Sequence, residues 1–263
     1  MDGTFWDREA GYLTEDEFNY TSAIRKNFGG PRRTSECYNV MEFSFEEAYI
    51  PYIIPTTIFF RRYWWIGFPI CAVYLALIFG GRSYMRHRPA YVLRRTLICW
   101  NSTIALFSIF LTFKFIPYTV SEIYTGHFYS TACFANYMDF SCQRLFIYGW
   151  LFGLSKVVEL GDTAFIVLRK KPLLFLHWYH HVTVLLFCWY SMGKGASIAV
   201  GLFFVVNNAA VHAFMYTYYA LRALGVHVPR WASMSLTLLQ ISQMLVAIYL
   251  NLLAYHLKRT TYP

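Results

Sequence analysis

The sequence predicts an all-α, polytopic membrane protein on three observations: its composition, six apolar runs of spanning length, and basic residues confined to alternate connections between those runs. Of 263 residues, 57% are hydrophobic and only 14% are charged, whereas about a quarter are charged in ordinary soluble domains. The runs lie at about Tyr63 to Tyr84, Thr96 to Tyr118, Leu145 to Leu168, Leu173 to Met192, Ala196 to Leu221 and Trp231 to Leu257, each near the roughly 20 residues that a spanning helix needs.

Taken in order, residues 1–41 are polar, include Gly29-Gly30-Pro31 and read as a disordered lumenal extension. Residues 42–62 mix acids and aromatics with Pro51 and Pro55 and read as an interfacial segment. Residues 63–257 form the transmembrane domain, opened by Tyr63, Trp64 and Trp65 at headgroup level, and 258–263 are a short tail. Because the first run begins past residue 60, it would itself serve as the insertion signal.

The net charge of +9 would suit nucleic acid, but its placement points to a membrane instead. Arg82, Arg86, Arg88, Arg94 and Arg95 follow the first run, Arg169, Lys170 and Lys171 the third, and Arg222 and Arg230 the fifth, with no acidic residue among them. By the positive-inside rule these connections are cytosolic and the N-terminus is lumenal. Asn19-Tyr20-Thr21 is then a glycosylation acceptor on the permitted side, at Asn19, whereas Asn101-Ser102-Thr103 falls inside a span and is read as chance. Cys37, Cys133 and Cys142 lie on the oxidising side, where a disulfide of unknown pairing is allowed.

Ionisable side chains in hydrocarbon are costly and mark functional sites. The third span supplies Lys156, Glu159, Asp162 and Thr163; the fourth His177, His180 and His181; the fifth Asn208, His212 and Tyr216; the sixth Thr237, Gln240 and Gln243. Helical spacing puts most of each set on one face. At about 1.5 Å per residue, His180 lies roughly 12 Å in from Pro172, His212 and Gln240 roughly 14 Å in from Leu221 and Trp231, and Glu159 roughly 15 Å in from Arg169. Four helices of alternating direction thus deliver polar groups to one layer beneath the cytosolic face. Packed histidines, glutamines that merely tie helices together, and a self-neutralising Lys156–Glu159 pair are the structural alternatives.

His-x-x-His-His on a helix invites two chemistries. Imidazole suits iron or zinc, as in a metal-dependent desaturase or hydroxylase, but such proteins use about eight histidines, and His87, His127, His227 and His256 lie away from the layer; one metal held by the remaining histidines and Glu159 stays open. Alternatively, a dry site favours neutral imidazole, which acts as nucleophile or base toward a thioester.

The stretches KVVELGDT, HWYHH, NAAVHAFMYTYY and TLLQISQ, in this order and spacing, resemble the very-long-chain fatty acid elongases of the endoplasmic reticulum, over about Met41 to Leu257. Trp178 and Gly161-Asp162-Thr163 look most like the branch acting on saturated and monounsaturated acyl chains. The resemblance implies an endoplasmic-reticulum membrane enzyme that condenses a long-chain acyl-CoA with malonyl-CoA to a 3-oxoacyl-CoA, with no cofactor beyond these substrates and with the other enzymes of the elongation cycle as partners. It implies that His180 takes or activates the acyl group, that His212 assists proton transfer, and that His177 and His181 complete the box. It also implies that Asn208, Tyr216, Gln240 and Gln243 hold the thioester oxygen or malonyl carboxylate, that Lys156, Glu159 and Asp162 line the chamber, and that Arg94, Lys170 and Lys171 attract CoA phosphates. The family has a seventh span, so six spans ending at Tyr262-Pro263 are expected to form an incomplete elongase-type helical barrel; a non-catalytic lipid-binding protein is the alternative for a truncated chain.

Overall fold

The structure, a computed structural model, describes residues 43–124, 145–194 and 201–261. Asn19, Cys37, Cys133, Cys142 and the expected extension over 1–41 lie outside the described residues. Among the described residues, a 3-10 segment, Ser44–Tyr52, leads into eight α-helices: α1 Ile53–Tyr63, α2 Gly67–Met85, α3 Arg94–Tyr124, α4 Leu145–Glu159, α5 Gly161–Leu168, α6 Phe175–Lys194, α7 Gly201–Leu224 and α8 Arg230–Thr261, with a second 3-10 segment, Trp64–Ile66, between α1 and α2. No strand occurs among the described residues.

The stretches Pro55–Met85, Arg94–Ser121 and Arg230–His256 are long and apolar enough to cross a membrane. Their outward faces carry exposed Val73, Leu77, Leu106, Phe113, Leu238 and Ile248, the apolar surface that hydrocarbon covers. Helices α4 to α7, together with α8, carry the polar sets read from the sequence. Helix begins ten residues earlier than Tyr63, at Ile53, and α3 runs past Tyr118 to Tyr124 with Pro117 inside it. A helix interrupted by proline can persist where neighbours re-satisfy the freed backbone groups.

The third apolar run is not one helix. Leu160 forms a turn between α4 and α5, with its N–H donating to Val157 O at 3.3 Å and the Thr163 N–H donating to Leu160 O at 3.2 Å. These tighter links rotate Asp162 and Thr163 away from the line set by Lys156 and Glu159. Gly161 sits at the break because a Cβ there would lie 2.6 Å from the Trp100 ring of α3.

The core joins Phe60 of α1, Leu111 and Phe115 of α3, Tyr148 and Phe152 of α4, Leu185 and Trp189 of α6 and Leu202 and Ala209 of α7. Trp189 also donates its indole N–H to the Gly153 carbonyl at 3.2 Å. Close approach at the 64–66 segment requires Gly193, where a Cβ would meet Trp64 Cβ at 2.4 Å and the Phe60 carbonyl oxygen at 2.9 Å.

The three basic connections meet at one end. Tyr91 N–H donates to Leu168 O at 3.0 Å, and Lys170 Nζ reaches the Arg86 and Arg88 carbonyls at 3.2 and 3.1 Å. Arg94 donates from Nε and Nη2 to the Ala223 and Leu224 carbonyls at 2.9 and 2.7 Å. Two of the cations therefore cap helix C-termini, where unsatisfied carbonyls and the helix dipole favour positive charge. Gly225, at φ +90°, completes the end of α7 with its N–H on Arg222 O and the Val226 N–H on Leu221 O. The contacts also fix direction: the start of α3 meets the end of α7, so these two helices run antiparallel.

At the other end of α3, Lys114 is 1% exposed and ion-paired at 2.5 Å with Glu46, itself 1% exposed, from the 3-10 segment. The Tyr148 hydroxyl donates to Glu46 Oε1, and the Phe43 N–H donates to Oε2 at 3.2 Å. Lys114 lies outside the polar layer read from the sequence, in the second apolar run. Its ammonium rests 4.6 Å from the Phe43 ring centroid and 5.1 Å from that of Tyr148, which adds cation–π attraction to the ion pair. The pair ties the segment before the first span to α3 and α4.

Replacing Lys114 with Met strands the buried Glu46 carboxylate and should lower unfolding stability by about 3–5 kcal/mol, whereas Lys114→Met combined with Glu46→Gln should recover most of the loss. Thermal unfolding in detergent checks this, and equal losses in single and double variants would show that the charges are uncoupled. Arg94→Ala should cost about 0.3–1 kcal/mol and speed amide exchange at Gly225 and Val226, measured by hydrogen–deuterium exchange.

Candidate functional site

The centre is the last turn of α4. Lys156 Nζ donates to Glu159 Oε1 and Oε2 at 2.7 and 3.0 Å and to Asn208 Oδ1 of α7 at 2.7 Å. An ammonium carries three N–H donors, and these acceptors account for all of them. Its fourth neighbour is the Phe152 ring, 4.2 Å away at the centroid. Lys156, Glu159 and Asn208 are all buried, a placement tolerable only because each charge has a partner and each remaining polar atom a hydrogen bond.

Glu159 is shared. Its Oε1 also accepts from Ser155 Oγ at 3.0 Å and lies 3.6 Å from His212 Nδ1. Asn208 spends its oxygen on Lys156, so its amide N–H₂ faces His212 Nε2 at 3.4 Å. That arrangement makes Nε2 the acceptor and leaves the Nδ1 proton pointing at the carboxylate, which sets the ring's orientation as a carboxylate does for a general base. The neighbouring Tyr216 ring packs edge-on against His212 at 5.4 Å.

Asp162, beyond the break, is held separately. Trp100 Nε1 of α3 donates to Oδ1 and the Tyr216 hydroxyl of α7 to Oδ2, both at 2.5 Å. Each carboxylate oxygen thus receives a donor from a different helix, and the residue ties α3, α5 and α7 together. Tyr216, 1% exposed, is committed to that bond.

The histidine box occupies the first turns of α6. His177 Nε2 lies 3.0 Å from Thr163 Oγ1 of α5, whose other neighbour is the Tyr74 hydroxyl of α2 at 2.8 Å. The His177 and His181 rings meet edge-on at 4.6 Å, and His180 and His181 at 5.9 Å. All three rings are half-buried. Among the described residues, neither His180 nor His181 has a side-chain hydrogen bond.

The layer read from the sequence therefore divides. Lys156, Glu159, Asn208 and His212 form one network, Asp162 and Tyr216 a second with Trp100, and His177 and His181 a third with Thr163 and Tyr74. Gln240 Nε2 instead donates to Met215 Sδ at 3.0 Å, and Gln243, although buried, meets Asn207 Nδ2 through its backbone carbonyl at 3.3 Å. Thr237 donates to the Ser233 carbonyl on an exposed face of α8. Lys170 is used at a helix end, and Lys171 is exposed at the same end. Asn101, the sequon inside α3, is buried with Nδ2 on the Leu97 carbonyl at 2.8 Å.

Trp100, Tyr74 and Ser155 are the partners that the sequence reading passed over. Trp100 and Tyr74 hide inside apolar runs, since an indole or phenol counts as hydrophobic although it carries a donor. Among the described residues, no three His, Cys, Asp or Glu side chains converge as a metal ion requires.

Residues 59–262 match the family described as "ELO: GNS1/SUR4 family". The chain is 44% identical over 197 residues to Very long chain fatty acid elongase 3 of Homo sapiens, covering 75% of this chain and 72% of that one. It is 42% identical over 191 residues to Very long chain fatty acid elongase 6 of Drosophila melanogaster, covering 73% of this chain and 60% of that one. To Very long chain fatty acid elongase 6 of Homo sapiens it is 44% identical over 192 residues, covering 73% and 71%. A chain that is helical over its described residues, with three helices of membrane length, and is matched over most of its length by such relatives, belongs to the ELO family of fatty acid elongases.

Proposed function

We propose that this chain is the condensing enzyme of fatty acid elongation, a 3-oxoacyl-CoA synthase of the endoplasmic reticulum membrane. The observation that carries the reading is the buried Lys156–Glu159–Asn208–His212 network, set at the depth of the histidine box in a helical membrane bundle. All six apolar runs would cross the membrane as parts of an elongase-type barrel, with the basic connections cytosolic. The meeting of Arg86, Arg88, Arg94 and Lys170 with the ends of α5 and α7 at one pole supports that topology.

In this reading the acyl-CoA thioester is attacked by an imidazole nitrogen of His180. The carbon–sulfur bond breaks, the CoA thiolate leaves with a proton, and an acyl-imidazole remains. Malonyl-CoA then loses carbon dioxide by cleavage of its carboxylate–carbon bond, and the resulting enolate forms a carbon–carbon bond with the acyl carbon. Collapse expels the imidazolate of His180, which takes up one proton from solvent, and releases 3-oxoacyl-CoA; no cofactor is needed. His212, aligned by Glu159 and Asn208, carries the proton to the leaving thiolate. The amide N–H₂ of Asn208, whose oxygen is fixed by Lys156, supplies a preplaced donor for a developing enolate without reorganisation in a water-poor site. Lys171 and the basic loops attract the CoA phosphates. Saturated and monounsaturated chains are the expected substrates.

Purified protein in lipid nanodiscs, given labelled malonyl-CoA with a series of acyl-CoAs, should yield 3-oxoacyl-CoA and carbon dioxide in equal amounts. His180→Ala should remove product formation, and His212→Ala should reduce it by about 10²–10⁴-fold. Wild-type protein that makes no 3-oxo product from any chain length would end the enzymatic reading. Glu159→Gln should lower both stability and turnover, because it leaves the Lys156 ammonium buried without a counter-charge at a cost of about 3–5 kcal/mol; the combined Lys156→Met and Glu159→Gln variant should regain stability without regaining turnover.

A further inference from the structure

Tyr74, Thr163 and His177 come from α2, α5 and α6, and their polar atoms form one chain. Thr163 is completely buried and Tyr74 is 5% exposed; the links are 2.8 Å from the Tyr74 hydroxyl to Thr163 Oγ1 and 3.0 Å from Oγ1 to His177 Nε2. Around the chain, Tyr74 packs with Ile78, Met85, Val167 and Trp178, so water does not replace either partner. A buried hydroxyl without a partner is costly, and each of these three groups supplies the others' need.

Two directions of donation are possible. In one, Tyr74 donates to Thr163 and Thr163 donates to Nε2. In the other, an Nε2 proton is donated to Thr163, which donates to the phenol oxygen. A phenol is the more acidic hydroxyl and hence the better donor, and an imidazole nitrogen is the strongest acceptor of the three. The first direction therefore wins. It fixes the proton of neutral His177 on Nδ1 and occupies the Nε2 lone pair.

We propose that Tyr74 and Thr163 are positioning residues that lock His177 in its Nδ1–H tautomer, making it the fixed support of the box rather than its nucleophile. His177 holds His181 edge-on at 4.6 Å, and His181 in turn borders His180 at 5.9 Å. The relay thereby sets the orientation of the two rings whose nitrogens make no hydrogen bond among the described residues. This role rests on the proposed condensation only for its effect on turnover; the tautomer itself does not depend on any reaction.

The test is nitrogen NMR of ¹⁵N-histidine-labelled protein in nanodiscs, with the His177 signals assigned by their absence in His177→Gln. Wild type should show a protonated Nδ1 and an unprotonated, hydrogen-bonded Nε2. Thr163→Val, which keeps the shape and removes the hydroxyl, should abolish that hydrogen-bond signature and mix the tautomers. The same change should lower kcat about five- to tenfold, the worth of one hydrogen bond, with KM unchanged, and Thr163→Ser should restore both readouts. Tyr74→Phe should weaken the Nε2 signature and lower kcat in the same sense, and it provides the measurement should Thr163→Val fail to fold. A protonated Nε2 in wild type, or a signature untouched by both Thr163→Val and Tyr74→Phe, would overturn the relay. A signature that behaves as described in protein that forms no 3-oxo product would uphold the relay and remove the condensing reaction instead.

Discussion

An ammonium group inside a lipid-embedded bundle sets the terms for this structure. Lys156 is 2% exposed, and an isolated charge in such surroundings is prohibitively unfavourable. The chain answers with a carboxylate one turn away on the same helix and an amide from α7. Glu159 and Asn208 satisfy the ammonium and, through their remaining atoms, reach His212. Charge neutralisation and the orientation of the His212 ring are thus one interaction, which is why α4 and α7 must meet at this depth.

The rest of the site is arranged by similar obligations on smaller groups. The break at Leu160 turns Asp162 toward Trp100 and Tyr216, and it turns Thr163 toward Tyr74 and His177. A continuous helix would keep Asp162 and Thr163 in fixed helical register with Lys156 and Glu159. The turn instead spreads the contacts of one short sequence stretch across four neighbouring helices, and Gly161 provides the clearance. Another buried ion pair, Glu46–Lys114, is built on α3 rather than on the end of α4. Its consequence lies elsewhere, in fastening the segment before the first span to α3 and α4.

The helical class was legible because hydrocarbon length and backbone hydrogen bonding leave few alternatives to an apolar run of about 20 residues. Helical spacing likewise identified Asn208, His212 and Tyr216 as one face, and all three are buried. What spacing could not supply was the partner across a helix boundary. Gln240 shares the expected depth with Glu159 yet contacts Met215, since depth alone does not fix rotation about the helix axis. Trp100 and Tyr74 escaped because hydropathy records their rings and ignores their donors. Arg94 and Lys170 were read as phosphate attractors from charge, whereas each also terminates a neighbouring helix, a role visible only when two loops are brought together.

The central claim is that this dry layer transfers an acyl group through its own imidazoles. Its most direct measurement is a single-turnover experiment with a long-chain acyl-CoA and no malonyl-CoA, followed by peptide mass spectrometry across HWYHH. The account predicts release of free CoA in equal amount to an acyl adduct on His180, discharged when malonyl-CoA is added. Free CoA released only when both substrates are present, with no adduct on any histidine of the layer, would contradict it.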